Sequence, residues 1–102
     1  MTKYLFVFSG GKTVTESKAR EKMMVDWMKW FGDMGKAVVD MGAATQAGKL
    51  VNAKGVKDAG GNPAGGYSII QADNMDAAVA LAKTCPIIAE GGEVLINTIT
   101  PM

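Results

Sequence analysis

Residues 66–100 constrain this chain most. They read Gly-Tyr-Ser-Ile-Ile-Gln-Ala, then Asp-Asn-Met-Asp-Ala-Ala-Val-Ala-Leu-Ala-Lys-Thr-Cys-Pro, and after a Gly-Gly pair Glu-Val-Leu-Ile-Asn-Thr-Ile-Thr. The first run is apolar and β-branched between glycines and Asp73-Asn74, the marks of a strand running into a helix start. Asp73 or Asn74 supplies a cap, the alanine-rich sequence favours helix, and Pro86 stops it within a few turns. Gly91 and Gly92 turn the chain into a second strand, Glu93 to Thr100. This is one strand–helix–strand unit, and a matching one is expected upstream.

Lys3 to Ser9 opens that matching unit. Leu5 and Val7 lie on one face of the strand; Tyr4, Phe6 and Phe8 lie on the other. A half-solvated strand alternates apolar with polar residues, so a strand apolar on both faces is expected to be covered on both. Gly10 and Gly11 end it. Thr13-Val14-Thr15-Glu16 fits a capping box, Thr15 being an equal candidate for the cap, and a helix runs to about Met34, where Gly35 stops it. Met23, Trp27, Trp30 and Met34 follow a 3-4 spacing, and Met24, Met28 and Phe31 form an adjacent stripe, so the apolar face is wide. The eight methionines and two tryptophans are expected to be mostly core. If the Trp27 ring is core, its truncation to alanine costs about 3–5 kcal/mol.

A short helical or irregular piece at Ala37 to Met41 follows, ended by Gly42. Lys49 to Ala53 and Val56 to Asp58 flank Asn52-Ala53-Lys54-Gly55, as a short hairpin or one strand with a ragged extension. Ala59 to Gly66 holds four glycines and a proline and is expected to be a loop inside the domain. The order is β-α-β-β-α-β. The fold class is α+β, a ferredoxin-like single domain over residues 1–102, with a four-stranded antiparallel sheet and both helices on one face.

The first and third strands of such a sheet are central, here Tyr4 to Ser9 and Tyr67 to Ala72. The second of these sets Tyr67 and Ile69 against Ile70 and Ala72. Each large apolar side chain left wet on the bare face costs about 1.5–3 kcal/mol. A second subunit laid sheet to sheet removes that cost, so a C2 homodimer is expected. If Phe6 and Ile70 face the partner, lysine at either position breaks the pair.

Several stretches then resemble YCII-related domain proteins, relatives of the DGPF-domain group. They are Lys3-Tyr-Leu-Phe-Val-Phe8, Trp27-x-x-Trp30-Phe31 before Gly35, Gly66-Tyr67-Ser68-Ile69-Ile70-x-Ala72-Asp73, Ala77-Ala78, Leu81-Ala82-Lys83, Cys85-Pro86 and the closing Pro101-Met102. The resemblance covers essentially the whole chain and implies a dimeric α/β barrel of ferredoxin-like subunits. It also implies a kinship with small lactone isomerases and halohydroquinone-processing enzymes, for which a His–Asp dyad is proposed. That histidine falls around Met23 or Met24 here, and the aspartate falls on Cys85. Both halves are absent, so the dyad chemistry does not carry over.

The remaining residues exclude more than they assign. A net charge of +1 with scattered lysines argues against a nucleic-acid partner. One cysteine and no histidine remove an internal disulfide, a cysteine metal cluster and imidazole catalysis. No metal and no cofactor are expected. Tyr4 to Phe8 is too short for a signal-peptide core, and no stretch spans a bilayer, so no membrane partner and a cytoplasmic location are expected. Gly10-Gly11-Lys12-Thr13 lacks the first glycine of a phosphate loop, which falls on Phe6, and reads as a plain turn. Cys85 reads as small buried filler; Asp73 and Asp76 read as helix-start carboxylates.

Ser9, Trp27, Asp40, Tyr67 and Asn97 are the candidates for a pocket between sheet and helices that takes a small apolar or aromatic ligand. One alternative is a small lactone-isomerase- or monooxygenase-like enzyme without the dyad, its substrate steered by Ser9, Asp40, Tyr67 and Asn97. Another is a protein-interaction module, implied by relatives joined to sigma factors.

Overall fold

The computed structural model describes residues 1–10, 16–46, 48–59 and 65–101. In chain order it contains β1 (Thr2–Ser9), α1 (Ser17–Met34), a 3₁₀ turn (Gly35–Ala37), β2 (Val38–Ala44), β3 (Lys49–Asn52), β4 (Gly55–Asp58), β5 (Gly66–Ala72), α2 (Met75–Ala82), α3 (Pro86–Ala89) and β6 (Glu93–Thr98). A four-stranded antiparallel sheet has the order β2-β5-β1-β6, and β3 with β4 forms a second, two-stranded sheet. The protein is a mixed α+β fold. As the split pattern requires, β1 and β5 are central.

The second strand of the main sheet is not where the sequence placed it. Residues 49–58 form the hairpin read from Asn52-Ala53-Lys54-Gly55, but that hairpin stands apart, and the sheet strand is Val38–Ala44. Asp40 and Gly42 gave that stretch the look of a bend. They sit instead at register shifts, between Val38 and Asp40 and between Asp40 and Ala43, which absorb two extra residues while β2 stays on β5. Gly42 has φ +73°, and a Cβ there would lie 1.7 Å from the Tyr67 carbonyl oxygen, so only glycine lets the bulged strand close on its neighbour.

The helices follow from local chemistry. α1 ends at Gly35, whose N–H still reaches the Phe31 carbonyl and whose positive φ (+54°) then turns the chain out of the helix. The capping box of 13–16 falls largely outside the described residues. Asn74 caps α2 by accepting the Ala77 N–H at 2.8 Å. Pro86 does more than stop a helix: it opens α3 as its first residue, where its missing N–H is no loss. Among the described residues, no helix is long and apolar enough to cross a membrane.

The core lies between the sheet and the helices. Tyr4, Phe6 and Phe8 of β1 and Ile70 and Ala72 of β5 meet Trp30, Ala78, Ala82, Cys85 and Ile87. Phe6 and Ile70 are 0% exposed, so they face the helices and not a partner. The outward face belongs to Leu5, Val7, Tyr67 and Ile69. Trp30 is buried, packed edge-on against Phe8 and Trp27, and its indole N–H reaches Thr84 Oγ1 at 3.0 Å and the Leu81 carbonyl at 3.2 Å. The apolar face of α1 is narrower than its sequence suggests. Met24 and Met28 are exposed, as are Met1, Met41 and Met75, so the methionines are mostly not core.

Candidate functional site

Strand alternation and register assemble the candidate residues. Leu5 stands between Ile69 on β5 and Asn97 on β6, and Ile69 in turn faces Asp40 on β2. One row across the uncovered side of the sheet is therefore Asp40, Ile69, Leu5, Asn97. The next row is Ala43, Tyr67, Val7 and Leu95, and Ser9 pairs with Glu93 beyond it. With strands ~4.8 Å apart, Asp40 and Asn97 lie ~14 Å from one another, at the two ends of their row. The polar groups thus bracket an apolar strip. They do not converge on one point.

The strip itself is half-open. Leu5, Val7 and Ile69 are half-buried, while Tyr67 is 37% and Leu95 58% exposed. A cleft of about 260 Å³ opens on this side, lined by Val7, Ser9, Glu93, Val94 and Leu95. The Asp40 carboxylate accepts the Gly42 N–H at 2.7 Å, which ties the acid to the bulge that seats β2. Behind the sheet, Ser68 is fully buried, and its hydroxyl donates to the Met41 carbonyl at 2.7 Å, pinning the same bulge from the other side.

Of the five sequence candidates, Ser9, Asp40, Tyr67 and Asn97 share this face. Trp27 does not: it lies on α1, edge-on to Phe8 with ring centroids 5.0 Å apart, on the opposite side of the sheet. The seam between sheet and α1 is filled by the rings of Phe6, Phe8, Trp27, Trp30 and Phe31. Sequence reasoning passed over Leu95 and Glu93, although period-two alternation from Asn97 along β6 points to both. It also passed over Gly42, whose need for glycine arises only from the approach of Tyr67.

A second cleft of about 450 Å³ lies between α1 and the α2–α3 connection, with Trp30, Met34, Leu81 and Pro86 among its walls and Asp26 and Asp33 on its rim. Its polar groups are engaged. Asp26 holds Lys22 at 2.9 Å, Asp33 holds Lys29 at 3.0 Å, and the Thr84 hydroxyl donates to the Leu81 carbonyl at 2.8 Å.

Chemistry on the described residues is sparse. Among them no group of three or more His, Cys, Asp or Glu side chains is placed to hold a metal ion. Cys85 is buried, and burial pushes its thiol up to about 11, away from the thiolate a nucleophile needs. Small buried filler describes it. A family model described as the YCII-related domain matches residues 4–102. No curated protein and no solved structure matches the chain.

Proposed function

This chain belongs to the YCII-related domain family, and we propose that it works as a cytoplasmic homodimer that binds a small apolar or aromatic molecule between two facing sheets. In this reading two ferredoxin-like subunits lay their uncovered faces together as a dimeric α/β barrel. One observation carries it: Ser9, Asp40, Tyr67 and Asn97 share the face that the helices leave bare, around Leu5, Val7 and Ile69. The helix-side seam, where the sequence placed the pocket, is taken up by aromatic rings, so the ligand belongs on the outer face.

The physical drive is the removal of Leu5, Val7, Tyr67, Ile69 and Leu95 from water. Each is worth up to about 1.5–3 kcal/mol when fully covered, less for those already half-buried. An apolar ligand lying on the strip gains from the same burial, while the polar groups at its ends set orientation. No acid–base pair is required, which favours binding over catalysis.

The test is a thermal-shift screen with small aromatic carboxylic acids and phenols, run beside sedimentation velocity. A ligand at 100 times its Kd adds about 2.7 kcal/mol, which raises the Tm of a chain this size by roughly 10–20 °C. Tyr67→Ala and Asn97→Ala are expected to reduce the shift, and Ile69→Lys to yield monomers. Monomers in the unaltered protein, or ligand shifts indifferent to Tyr67 and Asn97, would refute the proposal.

A further inference from the structure

The β3–β4 hairpin is unexplained by the fold of one chain. Every residue of both strands is exposed, including Val51 at 69% and Val56 at 66%. Among the described residues the two strands pack chiefly on one another. A free two-stranded hairpin is marginal in water, and two valines paired across it gain little from their neighbours alone. The radius of gyration is 14.7 Å, against about 13 Å for a compact chain of this length.

We propose that this hairpin is a dimer arm, whose Val51 and Val56 cover the outer-face cleft of Val7, Ser9, Glu93 and Leu95 on a second copy of the chain. The inference rests on the sheet-to-sheet reading above and adds to it a partner-contributed wall for the site. Three observations choose a second copy as occupant.

The first is position. The hairpin leaves the sheet beside Ala44 and Gly66, which pair with one another, and Gly66 pairs with Phe8. Ser9, the next residue, pairs with Glu93. The root of the arm and the cleft therefore lie at the same end of the sheet, on opposite edges. A two-fold axis running along the strands between two facing sheets keeps the ends and exchanges the edges. It brings the β2 edge of one copy, with its arm, over the β6 edge of the other.

The second is area and reach. From strand spacing and rise, the sheet face has a flat footprint of roughly 450 Å², whereas a stable interface removes about 800 Å² of accessible surface per partner. Contact beyond the sheet edges adds to what the sheet face alone removes. Four-residue strands and their turn extend ~15 Å, enough to cross the ~10 Å between packed sheets.

The third is charge. Residues 49–58 contain Lys49, Lys54 and Lys57 against Asp58 alone, the Lys49–Asp58 pair being joined across the hairpin. The cleft offers an exposed Glu93 to Lys54 in the hairpin turn, whereas Lys57, paired with Leu50, lies on the face away from Val51 and Val56.

The experiment is cross-linking with a short bismaleimide, which the buried Cys85 does not disturb. Val51→Cys with Leu95→Cys in one chain is expected to give covalent dimers at micromolar concentration, and each single variant little. Separately, Val51→Asp with Val56→Asp is expected to raise the dimer Kd at least about tenfold without changing the circular dichroism, and Glu93→Gln to weaken its salt dependence. A preparation that sediments as a dimer yet neither cross-links nor responds to the aspartates overturns the arm and leaves the sheet-to-sheet pair standing. A preparation that sediments as a monomer overturns both.

Discussion

Trp30 is the residue on which the helix layer turns, and its replacement has a size that can be worked out. The side chain is 4% exposed, so nearly all of it is withdrawn from water. A buried tryptophan covers roughly 200 Å², worth about 5 kcal/mol at ~25 cal/mol per Å². Its edge-on contacts with Phe8 and Trp27 add about 0.5–1.5 kcal/mol each. Alanine would remove most of a marginal domain's stability, so Trp30→Phe is the informative change. It keeps a ring and deletes the N–H that bonds Thr84 Oγ1 and the Leu81 carbonyl. The carbonyl retains the Thr84 hydroxyl as donor, so no acceptor is orphaned. The expected loss is about 1–2 kcal/mol, combining one net hydrogen bond with the volume lost from indole to phenyl. Urea unfolding followed by far-UV circular dichroism measures it, and a cycle with Thr84→Val isolates the hydrogen bond. Trp27→Ala, at a half-buried position, is expected to cost less than Trp30→Ala. A Trp30→Phe midpoint within 0.3 kcal/mol of the parent, or the reverse order of the two alanine variants, would refute the packing described here.

Two glycines respond in opposite directions. Gly42→Ala meets the Tyr67 carbonyl and a positive φ at once, and is expected to lose more than about 2 kcal/mol, read as a lower Tm. Gly32→Ala, inside α1 with open space at its Cβ, is expected to gain up to about 1 kcal/mol in the same assay. Asn74→Ala removes the cap on Ala77 and is expected to cost about 0.5–2 kcal/mol by urea midpoint. Cys85 gives a pH dependence: its thiol moves from an ordinary 9.0 up to about 11 in the fold. The unfolded chain therefore loses that proton first, and stability falls as pH rises from about 9 toward 11. Cys85→Ala is expected to flatten that part of the profile, and an unchanged slope would show the thiol to be solvated.

What local chemistry dictates was legible in the chain itself. The turn at Asn52–Gly55, the Asn74 helix start, the Gly35 stop and the apolar character of both sides of β1 and β5 each depend on a few neighbouring residues. From them follow the α+β class and the strand positions of Ser9, Tyr67 and Asn97, whereas Asp40, expected on a helical or irregular piece, lies on β2. Pairing is different, because it joins residues far apart in the chain at a register that no local pattern states. Which of two apolar faces points inward was decided by the side on which Trp30, Ala78 and Ile87 arrive, and a one-residue slip would have exchanged them. Val38–Ala44 became the edge strand, in place of the more strand-like 49–58, because bulges around Gly42 let it close on Tyr67. Trp27 parted from Ser9, Asp40, Tyr67 and Asn97 for the same reason: a helix covers one side of a sheet only, and tertiary packing alone chooses which.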